Sequence, residues 1–175
     1  MQDVAYGNRN RQPSTLTEMS FAIRIMSPCD KGSVMDILLD TPEFEPMEVP
    51  VAEEVMDAYL DNPGIDYKAL VAEENGVIVG YICFGAVPLT IASWDVYWLV
   101  SKRGWRGRGV GHSLLTEAER QIKETGGYLV LIETSSKPAY LPTRRFYRNN
   151  GYRRASLIRD FYALGDHRIT FAKRL

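Results

Sequence analysis

The chain has 175 residues, of which 45% are hydrophobic and 25% are charged, and its formal net charge is −1. This length allows one compact domain with a hydrophobic core and is too short for two of ordinary size. No apolar run approaches the roughly 20 residues of a membrane-spanning helix, and the N-terminus carries no signal pattern, so we expect no membrane partner.

The first part of the sequence predicts a tail, a strand and two helices. Residues 1–20 are polar without periodicity, so we expect a mobile tail ahead of a single domain over residues 21–175. Alternation over residues 21–25 predicts a strand, and Asp30 is a candidate cap for a helix that ends at Pro42. Apolar residues at helical spacing predict a second helix: Val51, Val55, Met56, Tyr59 and Leu60.

The second part predicts a hairpin, followed by strands that alternate with helices. Asn75-Gly76 is a strong hairpin signal between two strand-like runs. The apolar face of the longer predicted helix consists of Val110, Leu114, Ala118 and Ile122. The elements after the hairpin are strand 94–100, helix 109–123, strand 128–133, a short helix after Pro142, and strands 152–159 and 168–173. This order favours a mixed α/β or α+β sheet over a doubly wound one.

The most informative segment is the glycine turn, residues 106–112, which joins the predicted strand 94–100 to the following helix. Gly107, Gly109 and the glycine at 111 allow a tight turn and close approach to the backbone. Free N–H groups at a helix start favour an anion such as a pyrophosphate. Arg106 and Arg108 stand where helix starts favour acids, so a bound anion would compensate them. The alternative is a glycine-rich turn with solvated arginines.

Other phosphate-binding motifs fit this turn less well. A Walker A loop needs a lysine after its glycines, and none follows here. The dinucleotide fingerprint needs a third glycine, but a count from Gly109 ends on Leu114 and a count from Gly107 ends on His112. An RNA-binding arginine-glycine tract would be longer and would not lead into an amphipathic helix.

Two motifs, in order, resemble those of the Gcn5-related N-acetyltransferase (GNAT) superfamily. Residues 106–111 look like its Arg/Gln-x-x-Gly-x-Gly/Ala motif, and residues 146–152 resemble its second motif, a tyrosine followed four residues later by glycine and an aromatic. The resemblance extends over about residues 21–175. It implies the acyl-CoA N-acyltransferase fold, with a mostly antiparallel sheet of about seven strands and about four helices. It also implies acetyl transfer from acetyl-coenzyme A (acetyl-CoA) to an amine.

The resemblance assigns the coenzyme to the glycine turn and to the end of the preceding strand. At Ser101 the family usually has valine. For His112, a solvent-facing position on the helix is an equal alternative. For Thr143 and Arg144, the equal alternative is a salt-bridged helix surface. The implied coenzyme residues are Leu99, Val100, Ser101, Arg106, Gly107, Arg108, Gly109, Val110, Gly111, His112, Thr143 and Arg144.

The chemistry implied is attack of a neutral amine on a thioester, which needs a base, oxyanion donors and a proton for the thiolate. The resemblance makes Tyr147 the proton donor, with a core aromatic beside Phe146 as the alternative. A backbone N–H near Val100 would bind the oxyanion. Asp95 and Glu133 are competing candidates for the base or proton relay. For each, the alternative is a structural, hydrogen-bonded carboxylate, and an ordered water chain is an alternative to both.

The charges suggest the kind of acceptor. Residues 1–100 carry 16 acidic and 5 basic side chains, and residues 101–175 carry 6 acidic and 16 basic ones. A basic half suits a polyanion and an acidic half suits a cation, although an ordinary surface with segregated charges is the alternative. A small amine, an amino acid and a peptide N-terminus all remain open. The expected acceptor residues are Phe44, Glu48, Tyr140 and Tyr162, with Glu53 nearby.

Further features bear on compartment, partners and subgroup. Cys29 and Cys83 lie in separate segments, so we expect neither a disulfide nor a metal site, in a cytoplasmic monomer or homodimer. A non-catalytic CoA sensor of the same fold is the first alternative. A nucleic-acid-binding domain is the second, but Trp105 alone is a candidate for base stacking, so we expect no nucleic acid. Segments 133–136 and 160–166 resemble a bacterial GNAT subgroup of unassigned substrate.

Overall fold

The computed structural model describes residues 21–175, and the predicted tail over residues 1–20 lies outside them. Within the described residues the chain forms seven strands and four helices, as the resemblance implied. In chain order they are β1 (Ala22–Ile25), α1 (Lys31–Leu39), α2 (Glu48–Asp61), β2 (Lys68–Glu74), β3 (Val77–Ala86), β4 (Ser93–Ser101), α3 (Val110–Glu124), β5 (Leu129–Ser135), α4 (Leu141–Asn149), β6 (Arg153–Ala163) and β7 (Asp166–Arg174).

One sheet holds all seven strands, in the order β1-β2-β3-β4-β5-β7-β6. Neighbouring strands are antiparallel except β4 and β5, which are parallel. The predicted hairpin between β2 and β3 is confirmed. Asn75 and Gly76 both have positive φ, 51° and 79°, which is the backbone of a type I′ turn.

The two faces of the sheet carry separate cores. α3 covers one face with Val110, Leu114, Ala118 and Ile122, which are all buried as predicted. α1 and α2 cover the other face. On α2 the prediction is partly wrong: Val51 is 48% exposed. The buried residues of α2 are Ala52, Met56 and Tyr59, so Met56 and Tyr59 are confirmed and Ala52 takes the place of Val51.

The sheet splits between β4 and β5. The two strands pair from Ser93 opposite Leu129 to Val96 opposite Ile132, and both then run on without pairing to each other. The next residue of β4, Tyr97, is skipped in the register with β3, which marks a β-bulge at the same level. A bulge bends and twists its strand, so β4 can turn away from β5 here. A cleft therefore opens between the C-terminal ends of these two strands.

The last hairpin is longer than predicted. The sequence predicts strands that end at residue 159 and resume at residue 168, whereas β6 ends at Ala163 and β7 begins at Asp166. Asp160 adopts a positive φ of 52°, and its N–H donates to His167 Nδ1 at 2.9 Å. This cross-strand bond lets the ladder continue through an irregular stretch instead of ending there. The tip of the hairpin thereby reaches the cleft.

Residues 21–175 contain no helix that combines the length and apolarity of a membrane span. No group of three or more His, Cys, Asp or Glu side chains there is arranged to hold a metal ion. Cys83 is buried and Cys29 is exposed, and both are free thiols. Burial raises the pKa of the Cys83 thiol to about 12, so it is a protonated core residue.

Candidate functional site

The split in the sheet forms a cleft of about 1260 Å³, which is large enough for a small-molecule ligand. Its walls come from the α1–α2 loop (residues 40–47), the ends of β4 and β5, the glycine turn, α4, and the tip of the β6–β7 hairpin. The coenzyme, catalytic and acceptor residues predicted from the sequence line this cleft, except Arg108, Arg144 and the nearby Glu53. Residues that are far apart in the chain therefore meet in one place.

The glycine turn presents free backbone donors to the cleft. Gly107 and Gly109 have positive φ of 75° and 87°, in the left-handed region that favours glycine. Helix α3 begins directly afterwards, and its first turn holds no acid. Among the described residues, the N–H groups of residues 109–112 have no hydrogen-bond acceptor. Unpaired amides and the positive end of the helix dipole together favour an anion at this turn.

Close packing fixes the position of the turn. A Cβ on Gly111 would lie 3.3 Å from the ring of Phe146, so glycine lets α3 start close to α4 without a shift of that ring. A Cβ on Gly80 of β3 would lie 2.5 Å from a methyl group of Val110. The sequence analysis did not identify Gly80, because an isolated glycine in a strand gives no sign of which helix approaches it.

The two arginines of the glycine turn behave differently. Arg106 donates from both terminal nitrogens to the carboxylate of Glu43, at 2.7 and 2.9 Å. This pair raises the pKa of Arg106 and lowers the pKa of Glu43. Arg108 instead lies over the ring of Trp105, 5.1 Å from its centroid. Trp105 packs partly against the core, which argues against an exposed platform for stacking bases.

His112 connects the start of α3 to the end of α4. Its Nδ1 lies 2.6 Å from Asn150 Oδ1, just after α4, and the Asn150 amide donates to the carbonyl of Phe146 at 2.8 Å. His112 also lines the cleft, so its other edge is available to a ligand beside the glycine turn. Asn150 lies within the second motif, but no role was predicted for its side chain.

The two predicted coenzyme residues on α4, Thr143 and Arg144, have different surroundings. Thr143 lines the cleft. Arg144 does not, and its Nη1 donates to the carbonyls of Ser135 and Lys137 at 2.7 and 2.9 Å. Arg144 therefore braces the segment that leads from β5 into α4. Backbone acceptors of this kind cannot be recognised from residue spacing.

Tyr147 is a nearly buried side chain on the cleft wall. It is 6% exposed, and its ring packs against Phe146, Tyr152 and Phe171 at centroid distances of 5.5 to 6.1 Å. Burial raises the pKa of its hydroxyl well above the ordinary value of 10, and no hydrogen bond from the described residues offsets this. The hydroxyl is therefore protonated at neutral pH and can donate a hydrogen bond or a proton into the cleft.

The two candidate carboxylates have different surroundings. Asp95 is half-buried and has no hydrogen-bond partner among the described residues. Burial, and secondly the negative charge of Glu133, raise the pKa of Asp95. The side chain of Glu133 is 45% exposed and lies 3.4 Å from Arg168 Nη1 and 3.4 Å from Thr170 Oγ1. Asp95 is thus the uncommitted carboxylate.

The hydroxyl and the carboxylates come from opposite faces of the sheet. Tyr147 belongs to the core on the α3 face, together with the paired strand residues Val96 and Ile132. Side chains alternate along strands, so Asp95 and Glu133, each next to one of these residues, point to the other face. A proton donor and a proton acceptor thus approach the split from its two sides.

The end of the cleft next to the β6–β7 hairpin depends on a residue that the sequence analysis did not single out. Asp166 is 5% exposed, accepts hydrogen bonds from the Ser135 hydroxyl and the Ser136 N–H, and lies 3.7 Å from Lys137 Nζ. These contacts tie the hairpin tip to the end of β5. Tyr162, in the same hairpin tip, lines the cleft and is about half exposed. The signal available in the sequence was an acid directly after a glycine.

Acids predominate in the cleft lining. Arg106 and Lys137 are the only Lys or Arg side chains that line it within the described residues, and both are already paired with acids. Glu53, expected near the acceptor, pairs instead with Lys31 outside the cleft. The acids that line the cleft are Glu43, Glu45, Glu48, Asp95, Glu133 and Asp166.

A mostly antiparallel seven-stranded sheet, split between two parallel strands beside a glycine turn, defines the class as the acyl-CoA N-acyltransferase fold. The model of the acetyltransferase (GNAT) domain matches residues 66–154. The chain belongs to the GNAT family and is an acetyltransferase, which confirms the resemblance carried by the two motifs.

Solved structures agree with this assignment. A Desulfovibrio desulfuricans protein assigned to the GNAT family is 32% identical, with a TM-score of 0.85 over 89% of this chain and 99% of that one. The Escherichia coli ribosomal-protein-S18-alanine N-acetyltransferase is 15% identical (TM-score 0.72, 89% and 94% covered). An aminoglycoside 6′-N-acetyltransferase complexed with coenzyme A is 21% identical (TM-score 0.68, 87% and 96% covered). No curated protein sequence matches the chain.

Proposed function

We propose that this protein is an N-acetyltransferase that moves an acetyl group from acetyl-CoA to a primary amine by direct attack on the thioester. One observation carries the proposal: a single cleft connects the unpaired amides of residues 109–112 with Tyr147 and Asp95. The coenzyme A complex of the aminoglycoside acetyltransferase supports the choice of donor. The acceptors in the names of the similar structures differ, so the acceptor of this chain is argued from its own cleft.

In this proposal the diphosphate of acetyl-CoA binds at the glycine turn. The free amides of residues 109–112 and the dipole of α3 favour the negative charge, and Arg106 and His112 lie beside them. The pantetheine arm lies along residues 97–101, where β4 has no strand partner on its β5 side. Its amides can pair with that free strand edge as an added strand would.

The chemistry uses both faces of the split. The amine, once neutral, forms a bond to the thioester carbon, and Asp95 accepts the proton that the nitrogen releases. A backbone N–H near Val100 stabilises the oxyanion. When the carbon–sulfur bond breaks, Tyr147 gives its proton to the thiolate. We prefer Asp95 to Glu133 as the base because it is uncommitted and its raised pKa brings it closer to neutral pH.

The acceptor enters from the acidic end, where Phe44, Glu48, Tyr140 and Tyr162 line the cleft. Acids outnumber basic side chains there, so we expect the acceptor to be a cationic amine. A small amine, an amino acid and a peptide N-terminus remain candidates. A cytoplasmic location and a monomeric or homodimeric state stay predictions from the sequence.

The test is release of free thiol from acetyl-CoA across a panel of amino acids, polyamines, aminoglycosides and peptides, with calorimetric binding of CoA in parallel. We expect thiol release with at least one cationic amine, and a drop of about a hundredfold in kcat for Tyr147→Phe with that amine. Binding without turnover on any amine would favour the non-catalytic sensor. Absence of CoA binding would contradict both readings.

A further inference from the structure

We infer that Glu43 occupies the position of the coenzyme diphosphate on Arg106 in the CoA-free protein, so that acetyl-CoA binds by displacing an internal carboxylate. This inference rests on the proposed function. It makes Glu43 a positioning residue, which acts through Arg106 and not on the reacting atoms. Its consequence is that Glu43 weakens binding of the diphosphate-bearing donor.

The geometry of the pair is the first argument. Both terminal nitrogens of Arg106 donate to the two carboxylate oxygens of Glu43, at 2.7 and 2.9 Å. The planar fork of a guanidinium fits a carboxylate and a phosphate equally well. Glu43 fills the end-on pair of donors, Nη1 and Nη2, and offsets the charge of the guanidinium, while the Nε–H side has no partner among the described residues. Glu43 and the diphosphate therefore compete for the end-on donors and for the charge of Arg106.

The anchoring of Glu43 is the second argument. The Tyr140 hydroxyl donates to the backbone carbonyl of Glu43 at 2.6 Å. Lys137 Nζ holds Glu45 of the same loop at 2.8 Å. The loop is thus fixed to the segment before α4 by contacts that do not involve the Glu43 side chain. That side chain can leave Arg106 by rotating about its own bonds, without movement of the loop.

The surroundings are the third argument. Glu43 lines the cleft, and the side chains of Arg106 and Glu43 are 41% and 21% exposed. The pair is partly screened by solvent, so it is weak enough for a ligand to break. The neighbouring amides of residues 109–112 stay free while Arg106 is paired. The diphosphate can therefore bind these amides first and then take Arg106.

The test measures the Kd of acetyl-CoA by calorimetry for the wild type, Glu43→Gln, Glu43→Asp and Glu45→Gln. Glu43→Gln removes the competing charge, and we expect about three- to tenfold tighter binding. Glu43→Asp keeps the charge and should stay close to the wild type. Glu45→Gln is the matched control, because it removes an equal charge from the same loop and pairs with Lys137 instead.

Two further measurements separate competition from a general change in the cleft. S-acetylpantetheine lacks the diphosphate, so its affinity should be the same for the wild type and Glu43→Gln. With Arg106 replaced by Gln, the added Glu43→Gln change should have no further effect on acetyl-CoA. Circular dichroism checks that each variant is folded, and Glu43→Ala serves as a second charge-removing variant.

Unchanged or weaker acetyl-CoA binding by Glu43→Gln would overturn the inference, because Glu43 would then support Arg106 instead of competing with the donor. Equal tightening for S-acetylpantetheine would overturn it as well. In both cases the wild type still binds acetyl-CoA, so the proposed function survives. If the wild type binds no acetyl-CoA, the proposed function fails and takes this inference with it.

Discussion

The two halves of the cleft that the proposed function assigns to coenzyme and acceptor differ in composition. The proposed coenzyme half consists mainly of backbone: free amides at the start of α3 and the unpaired edge of β4. The acceptor half consists of side chains from three separate segments, the α1–α2 loop, the end of β5 and the β6–β7 hairpin tip. Backbone groups serve any acyl-CoA in the same way, whereas side chains can change with the acceptor. The proposed function therefore predicts that specificity lies in the acceptor half.

The halves also differ in what holds them in place. Packing against Phe146 and Gly80 fixes the glycine turn. The acceptor half is tied by hydrogen bonds and ion pairs, among them Asp166 with Ser135 and Lys137 with Glu45. Substitutions should therefore act through backbone geometry in the first half and through charge and hydrogen bonding in the second. The predictions below test this division.

The largest effect is expected where the two halves meet. Asp95→Asn removes the proposed base, and kcat/KM should fall by about a hundredfold or more, because general acid–base groups typically contribute about a hundred- to ten-thousandfold. The Kd of acetyl-CoA should not change, because Asp95 lies outside the glycine turn. Thiol release and calorimetry measure the two quantities. Retention of more than a third of the activity would remove Asp95 from the mechanism.

Glu133→Gln is the matched control for Asp95. It should cost less than about tenfold in kcat/KM, since Glu133 is already engaged with Arg168. The negative charge of Glu133 helps to raise the pKa of Asp95, so its removal should lower that pKa. The base then stays ionised to lower pH, and the acid limb of the pH–rate profile should move down. An upward shift would contradict this coupling.

Gly109→Ala tests the backbone-built half. Gly109 has φ of 87°, where a residue with a Cβ costs about 1–2 kcal/mol. Strain at this position should misalign the free amides and weaken acetyl-CoA binding by about tenfold. Gly104→Ala is the control, since Gly104 is in the same segment, has no positive φ, and its Cβ would meet nothing within 4 Å. Equal losses in both variants would count against the amide site.

The contrast also explains how far the sequence could predict the molecule. The seven strands and four helices followed from periodicity and turn residues, because these signals are local. The glycine turn was recognisable because its donors are consecutive residues. The end of the last hairpin was predicted wrongly, because the contact between Asp160 and His167 that extends it joins two strands. Local patterns do not contain such contacts.

The acceptor half was less predictable for the same reason. Glu43 and Asp166 were not singled out, because their partners Arg106 and Ser135 are 63 and 31 residues away in the chain. Arg144 was expected to bind a ligand, but backbone carbonyls occupy one of its nitrogens. The role of a side chain therefore depends on the residues that the fold brings into contact with it.

Two adjacent hydroxyl residues on β5, Thr134 and Ser135, test the role of hydrogen bonds in the acceptor half. Ser135→Ala removes a hydrogen bond to the buried Asp166 carboxylate and should lower the free energy of unfolding by about 1.5–3 kcal/mol. Thr134 Oγ1 is buried without a partner among the described residues, so Thr134→Val should be neutral or stabilising by about 1 kcal/mol. Urea unfolding of both variants gives the comparison. A larger loss for Thr134→Val would reveal a partner for that hydroxyl.

The smallest expected effect tests whether negative charge in the acceptor half attracts the amine. Glu48 lines the cleft on the first turn of α2, and its Oε2 accepts the N–H of Glu45, a role that a glutamine oxygen can keep. Glu48→Gln should therefore raise the KM of a cationic acceptor by about two- to fivefold at low ionic strength and less as salt screens the charge. The Kd of acetyl-CoA should not rise, since less negative charge near the cleft cannot repel an anion. Glu54→Gln, an equal charge change on α2 outside the cleft lining, should leave KM unaltered. Matching shifts in both variants would mean that overall charge, and not this wall of the cleft, attracts the amine.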